Sequence, residues 1–249
     1  MKKMKHIIRK LLYKENASSE TLLNYLRERG AEIGNDVTIY APDKTLIDKQ
    51  NPYLLKIGDH VRITEGVKIL THDYSWSVLK CYASESIMPG EILGGQGAVE
   101  IGNNVFIGMN AIITCGVTIG NNVVIGAGSV VTKNCESDGV YAGVPAKRIM
   151  SIEEFYLKRK NAQFEEAKDI AIRYKRRFGT APDKTIFNEY FMLFSSKEEA
   201  ECIEAYKKQM KTSMNYEASA AYMLSHKPMF SNYEEFLRAC YEKEDAEGI

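Results

Sequence analysis

The chain has 249 residues, 45% of them apolar, and its 33 basic and 33 acidic side chains cancel to a formal charge of zero; that length can bury a sizeable core in one domain or two. No basic face is implied, so a nucleic-acid partner is not expected, and no apolar run reaches the roughly 20 residues of a membrane span. Five cysteines, Cys81, Cys115, Cys135, Cys202 and Cys240, show no CxxC or zinc spacing, which predicts reduced thiols in a cytoplasmic protein.

At the start, Met1 to Tyr13 is basic, and Arg9 and Lys10 break its apolar stretch, so no signal peptide is expected. The segment reads as packing for a neighbouring subunit or as mobile or, alternatively, as an amphipathic helix touching a membrane surface. Ser18-Ser19-Glu20 is a helix start and Arg29-Gly30 a stop, which predicts a short helix over about 19–29. Domain boundaries follow: a helical segment 1–30, a coil 31–150 and a helical extension 151–249.

From Ile33 a six-residue beat begins. It reads Ile33-Gly34-Asn35-Asp36-Val37-Thr38, Ile57-Gly58-Asp59-His60-Val61-Arg62 and Ile63-Thr64-Glu65-Gly66-Val67-Lys68, then runs in unbroken register from Ile101-Gly102-Asn103-Asn104-Val105-Phe106 to a last unit at Val131. A period of six is neither helical nor that of a flat strand, so the chain must coil. The first residue of each unit fills the interior with a β-branched side chain. Gly and the Asn or Asp after it permit close approach and positive φ. Three units make one triangular turn of a parallel β-helix, about 18 residues per coil, and stacked coils bury a continuous core.

Between Ile69 and Ile101 the beat fails. The gap is 32 residues where 6 would continue the repeat, so 26 are inserted, in a loop over about 72–98. A rigid prism that throws out a long loop is building a site. His72 stands at the base of that loop, in Thr71-His72-Asp73, and is the candidate general base; neutral imidazole can take a hydroxyl proton during attack. Asp73 either orients His72 or makes a solvated turn. Trp76 either stacks on a ligand ring or shields the reacting bond, or it pins the loop. Cys115 is a competing nucleophile that reads better as a small apolar filler.

Beyond Ala142-Gly143-Val144-Pro145-Ala146-Lys147 the chain turns helical. Ser151-Ile152-Glu153-Glu154 is a capping box, Gly179 a stop, and Ser196 and Ser231 open further starts, giving about four helices. This stretch holds 16 of the 25 aromatic residues. They read as the core of a small helical unit or, alternatively, as a lining for a sugar or a partner.

The repeat and the closing Ala142–Lys147 segment resemble the hexapeptide-repeat, left-handed β-helix acyltransferase superfamily, in its sugar and xenobiotic O-acetyltransferase-like branch, over about residues 20–150. The resemblance implies a mainly β fold with a helical extension and a homotrimer whose sites lie between subunits. It implies an acetyl-CoA-dependent O-acetyltransferase acting on a sugar of a surface polysaccharide or its precursor, with His72 as catalytic base and the Gly108-Met109 turn stabilising the carbonyl oxygen. Carried over position by position, acetyl-CoA meets Met109, Ala127, Thr132, Lys133, Pro145, Lys147 and Arg148; Asp48, Asp73 and Trp76 are the candidates for contact with the acceptor, and Phe106 either supplies the aromatic that related enzymes carry near the thiol or is an exposed strand residue. N-acetylation of an amino sugar, or a non-catalytic trimeric scaffold, are the alternatives. No metal is expected: the γ-class carbonic anhydrases need three histidines on zinc, and only His60 and His72 lie in the coil.

Overall fold

The six-residue beat becomes three parallel sheets, one for each face of a triangular coil. On the first face lie β1 (Glu32–Ile33), β4 (Leu55–Ile57), β7 (Val99–Ile101) and β10 (Thr118–Ile119). The second carries β2 (Thr38–Ile39), β5 (Val61–Ile63), β8 (Val105–Ile107), β11 (Val123–Ile125) and β13 (Gly139–Ala142), closed by an antiparallel β14 (Lys147–Ser151). The third holds β3 (Leu46–Ile47), β6 (Lys68–Ile69), β9 (Ile112–Ile113) and β12 (Val130–Val131). This arrangement fits a left-handed β-helix. The structure is a computed structural model that describes residues 12–242, so the reading of Met1 to Tyr13 lies almost wholly outside the described residues. It divides into two units, one running to Phe155 and one starting at Tyr156.

Strand register can be compared on either side of the break in the repeat. Ile101 pairs with Ile119, 18 residues on, whereas Ile57 pairs with Ile101, 44 residues on, and the excess of 26 is the loop. Two smaller additions were not legible as such. Ile39 and Ile47 are eight residues apart and Ile47 and Ile57 ten, yet Ile47 still stacks under Ile69.

Both the first and the fifth residue of each unit point inward. Ile107, Ile113 and Ile125 are fully buried, and so are Ala111 and Ser129 at fifth positions. The Gly in second place is required by stacking: a Cβ on Gly102 would meet the carbonyl of Gly120 at 2.8 Å. Positive φ falls instead on the fourth residue, at 55° for Asn104, 59° for Asn110 and 54° for Asn122. His60 holds the same fourth place, with φ 57°, and its ring turns to Asp36 Oδ2 at 2.9 Å. Third-place side chains tie one coil to the next: Asn103 Oδ1 accepts from Asp59 N, and Asn121 Oδ1 from Asn103 N, both at 2.7 Å.

A helix, α1 (Ser19–Arg27), buries Leu22, Leu23 and Leu26 in the same core as the coil and closes its lower end. Ser18 caps it and Gly30, at φ 94°, follows it. The insertion carries one short helix, α2 (Trp76–Cys81). At the far end the Ser151–Glu154 capping box forms as written, Ser151 N donating to Glu154 Oε2 and Glu154 N to Ser151 Oγ. It opens α3 (Ile152–Phe178), which ends at Gly179 with φ 73°. Beyond it lie α4 (Lys197–Cys202), α5 (Glu204–Met210), α6 (Tyr216–Ser225) and α7 (Tyr233–Tyr241). The α-helices among the described residues of the extension thus number five; extended backbone at Ile203 separates α4 from α5. The last cap is Asn232, one residue after the Ser231 expected, and it accepts from Glu235 N. Phe187, Phe191, Phe194, Tyr206 and Phe236 form the core of this unit, so most of the aromatic enrichment is packing.

Candidate active site

Three coils meet at the corner that follows the third face. Asp48 leaves β3 there, Leu70 leaves β6 one coil above, and Thr114 leaves β9 above that; Asp48 N donates to Ile69 O and Leu70 N to Ile113 O. The chain then departs into the insertion, and its two stems pair before it goes. His72 bridges Gln96, Asp73 N donates to Gly95 O at 2.7 Å, and Gly97 N to Thr71 O at 3.0 Å. The returning stem must be glycine-rich. A Cβ on Gly95 would meet Asp73 O at 2.7 Å, and one on Gly97 would meet Gly116 N at 2.6 Å. His72 is therefore held on a short antiparallel clamp rather than on a free loop.

Asp48 Oδ2 is 2.5 Å from His72 Nδ1 and accepts from Thr71 Oγ1 at 2.6 Å. Its other oxygen accepts from Gln50 N at 2.9 Å. Asp48 is only 7% exposed, while the His72 side chain keeps 37% of its surface. Burial pushes the Asp48 carboxyl up, but the hydrogen bonds from Thr71, Gln50 N–H and His72 outweigh it and hold the group below the ordinary carboxylate value. The carboxylate is thus ionised and directed at one imidazole nitrogen. Beside the pair opens a cavity of about 560 Å³, lined by Asn16, Asp43, Thr45, Leu46, Lys49 and Leu70 as well as His72 and Asp48. Lys49 is fixed there by Glu15 Oε1 at 2.8 Å and Asn16 Oδ1 at 2.9 Å.

This bears on two of the expected residues. Asp48, expected to contact the acceptor, spends its carboxylate on Thr71 and His72. Of the two readings of Asp73, the geometry matches the solvated turn: Oδ1 accepts from Ser75 N and Oδ2 from Ser75 Oγ. The signal for Asp48 was present. Once Ile47 is stacked under Ile69, the residue after it lies one coil below the approach to His72; the irregular spacing on either side of Ile47 hid that register. Trp76 packs edge-to-face on Tyr74, with ring centroids 4.9 Å apart. Phe106 points outward from β8, 42% exposed, between Arg62 and Val124. That is a different face from the one that delivers His72.

The expected donor residues divide between corners. Met109 and Ala127 share the corner after the second face, where Gly128 N donates to Met109 O at 2.7 Å. Gly108 N–H is taken by Ile125 O, so only the Met109 end of that turn stays open. Val130 N donates to Gly143 O and Ala146 N to Val130 O, which brings the Gly143–Ala146 turn to the same side. Thr132 and Lys133 instead stand after β12, above His72. Met109, Ala127, Thr132, Lys133, Pro145 and Lys147 are all exposed, and a Cβ on Gly128 would meet nothing within 4 Å. Open, narrow backbone corners flanked by lysines fit a thin amide-bearing chain with phosphates at one end. Arg148 is the exception: its Nη2 donates to Asp138 O at 2.9 Å, so it braces the last coil.

Comparison with known proteins gives a consistent picture. Residues 98–133 match the family described as bacterial transferase hexapeptide (six repeats). Protein CapG of Staphylococcus aureus is 44% identical over 156 residues, covering 62% of this chain and 83% of CapG. A maltose O-acetyltransferase from Clostridium difficile 630 aligns at 28% identity, over 60% of this chain and 83% of its own, with a TM-score of 0.38. A galactoside acetyltransferase in complex with coenzyme A aligns at 29% identity, over 60% and 81%, with a TM-score of 0.41. At these TM-scores the assignment rests on the sequence relationship. With the repeat matched and more than four fifths of CapG spanned, the chain belongs to the hexapeptide-repeat family of bacterial transferases, the acyltransferase family that its sequence resembles.

Proposed function

We propose that the chain is an acetyl-CoA-dependent O-acetyltransferase of the cytoplasm, acting on a sugar hydroxyl of a surface polysaccharide or its precursor, with His72 as general base. The observation that carries this reading is the Asp48–His72 pair at the rim of a cavity, where the coil is interrupted. An ionised carboxylate only accepts, so the neutral imidazole carries its proton on Nδ1 and leaves the Nε2 lone pair for a substrate hydroxyl. Bound acetyl-CoA supplies a thioester carbonyl carbon as the acyl donor. His72 takes the hydroxyl proton as the new C–O bond forms and returns it to sulfur as the C–S bond breaks. Asp48 holds the ring and stabilises the transient imidazolium. Direct transfer leaves Cys115 without a role.

The divided donor residues support a homotrimer. Met109 and Ala127 stand on one corner of a rigid prism, and Thr132, Lys133 and His72 on another. A donor that touches both must lie between two copies, and three copies around one axis share three such grooves. A second copy would also bring a Met109 turn toward His72, to stabilise charge on the carbonyl oxygen. The insertion is built to be covered: Val78, Met88 and Ile92 are 70%, 85% and 68% exposed.

The test is acetyl-CoA turnover against a panel of sugars. His72→Ala is expected to lower kcat by about 10²–10⁴-fold while acetyl-CoA binding survives, and Asp48→Asn to lower kcat with little change in KM. Equal turnover by wild type and His72→Ala, or no acetyl-CoA binding by either, removes the reading. Light scattering should report three copies.

A further inference from the structure

We infer that the helical unit holds a second ligand site, for oligosaccharides that carry carboxylates. A cavity of about 680 Å³ opens there beside the first turns of α3, the 192–193 turn and the end of α6, a size in the range of small-ligand sites. It lies outside the aromatic core. The rings of Tyr222 and His226 stack with centroids 5.0 Å apart and planes 24° apart. The imidazole is locked in that pose by donating from Nε2 to Met192 O at 2.7 Å. Tyr222 is 44% exposed and Tyr156, which lines the same cavity, 56%. Two tyrosines that show their rings to solvent within one cavity offer flat apolar faces to the C–H faces of successive sugar rings.

Charge selects among sugars. No carboxylate lines the cavity, whereas Arg159, Lys160 and Lys227 do. Glu166 already binds Arg159 through both oxygens, at 2.6 and 2.7 Å. Lys160 stands 5.9 Å from the centre of the Tyr156 ring, and Lys227 makes no ion pair among the described residues. Two ammonium groups with no carboxylate partner among the described residues, beside aromatic rings, suit an anionic sugar. A nucleotide is disfavoured: the cavity meets the C-terminal turn of α6, the negative end of that helix, which opposes a polyphosphate more than a single carboxylate. This site uses none of the residues assigned to acetyl transfer, so its test is separable from that of the proposed reaction.

The 249-residue protein is applied to an array of uronate- and sialate-containing oligosaccharides with neutral counterparts, and affinities for any bound sugars are measured by calorimetry. Acidic sugars are expected to bind, with affinity falling at least tenfold in Tyr222→Ala and in Lys227→Ala and unchanged in His72→Ala. Both altered side chains are solvent-facing, and unchanged melting temperatures confirm that each variant is folded. No acidic sugar bound, equal binding of neutral counterparts, displacement by UDP, loss in His72→Ala, or full affinity in both cavity variants each overturns the inference.

Discussion

In the coil, each layer of the core is the same: Ile69, Ile113 and Val131 stack up one face, and each touches mainly the layer above and below. In the helical unit the core is a knot. Phe236 alone is in ring contact with Phe164, Phe187, Phe194, Phe230 and Tyr233. The first device spreads stability in equal increments along an axis; the second concentrates it on a few large side chains. That difference makes the coil a surface whose departures stand out, and it leaves the helical unit with an interior that explains most of its aromatics and a rim that does not.

The largest effects should expose the contrast. Phe236→Ala is expected to destabilise the protein by about 3–5 kcal/mol, because no neighbour can fill a void bounded by five rigid rings. Ile113→Ala, also fully buried, should cost about 2–5 kcal/mol, toward the lower end if adjacent layers settle. Chemical denaturation of both variants ranks them, and a larger loss at Ile113 breaks the comparison. Gly102→Ala comes next. Its new methyl would press on the carbonyl of Gly120 at 2.8 Å, an overpacking penalty of about 1–3 kcal/mol that should appear as a lower denaturation midpoint with an unchanged slope.

How much was legible follows the same line. The period displayed the inward Ile and Val positions, the three-faced coil and the 26-residue insertion with His72 at its base. It did not assign positive φ to one position: the fourth residue takes it, while the need for Gly102 comes from the coil above, which a single unit does not display. It also missed Asp48 as the partner of His72. That contact joins residues 24 apart across two coils whose spacing around Ile47 is irregular, so only stacking reveals it. At the start of the extension the capping box at Ser151 and, further on, the cap at Ser196 were readable because they are local. The ring contacts of Phe236 were not, since they join helices through no fixed spacing.

Smaller still are the polar ties. Asn121→Ala removes the acceptor for Asn103 N in the coil, and Asn232→Ala the acceptor for Glu235 N at the start of α7. Each should cost about 1 kcal/mol. If the coil distributes its stability as argued, removing one rung should lower the midpoint without loss of cooperativity.

The slightest contrast near neutrality is a slope against pH. Asp48 has a folded pKa below its unfolded one. Its contribution is therefore complete above the unfolded carboxylate range and disappears as pH falls through the folded value. Cys240 runs the other way: burial pushes its thiol up to about 12, so its contribution is complete below its ordinary value near 9 and is lost as pH rises toward 12. At pH 7 both slopes are flat. Stability measured in urea from pH 3 to pH 10 should thus show an acid limb made shallower by Asp48→Asn and an alkaline limb made shallower by Cys240→Ala. Cys135 in the coil, pushed up to about 11, keeps part of the alkaline limb in the second variant. An unchanged acid limb in Asp48→Asn would mean that its carboxylate is no better held in the fold than in the unfolded chain, and that His72 is positioned by the loop clamp alone.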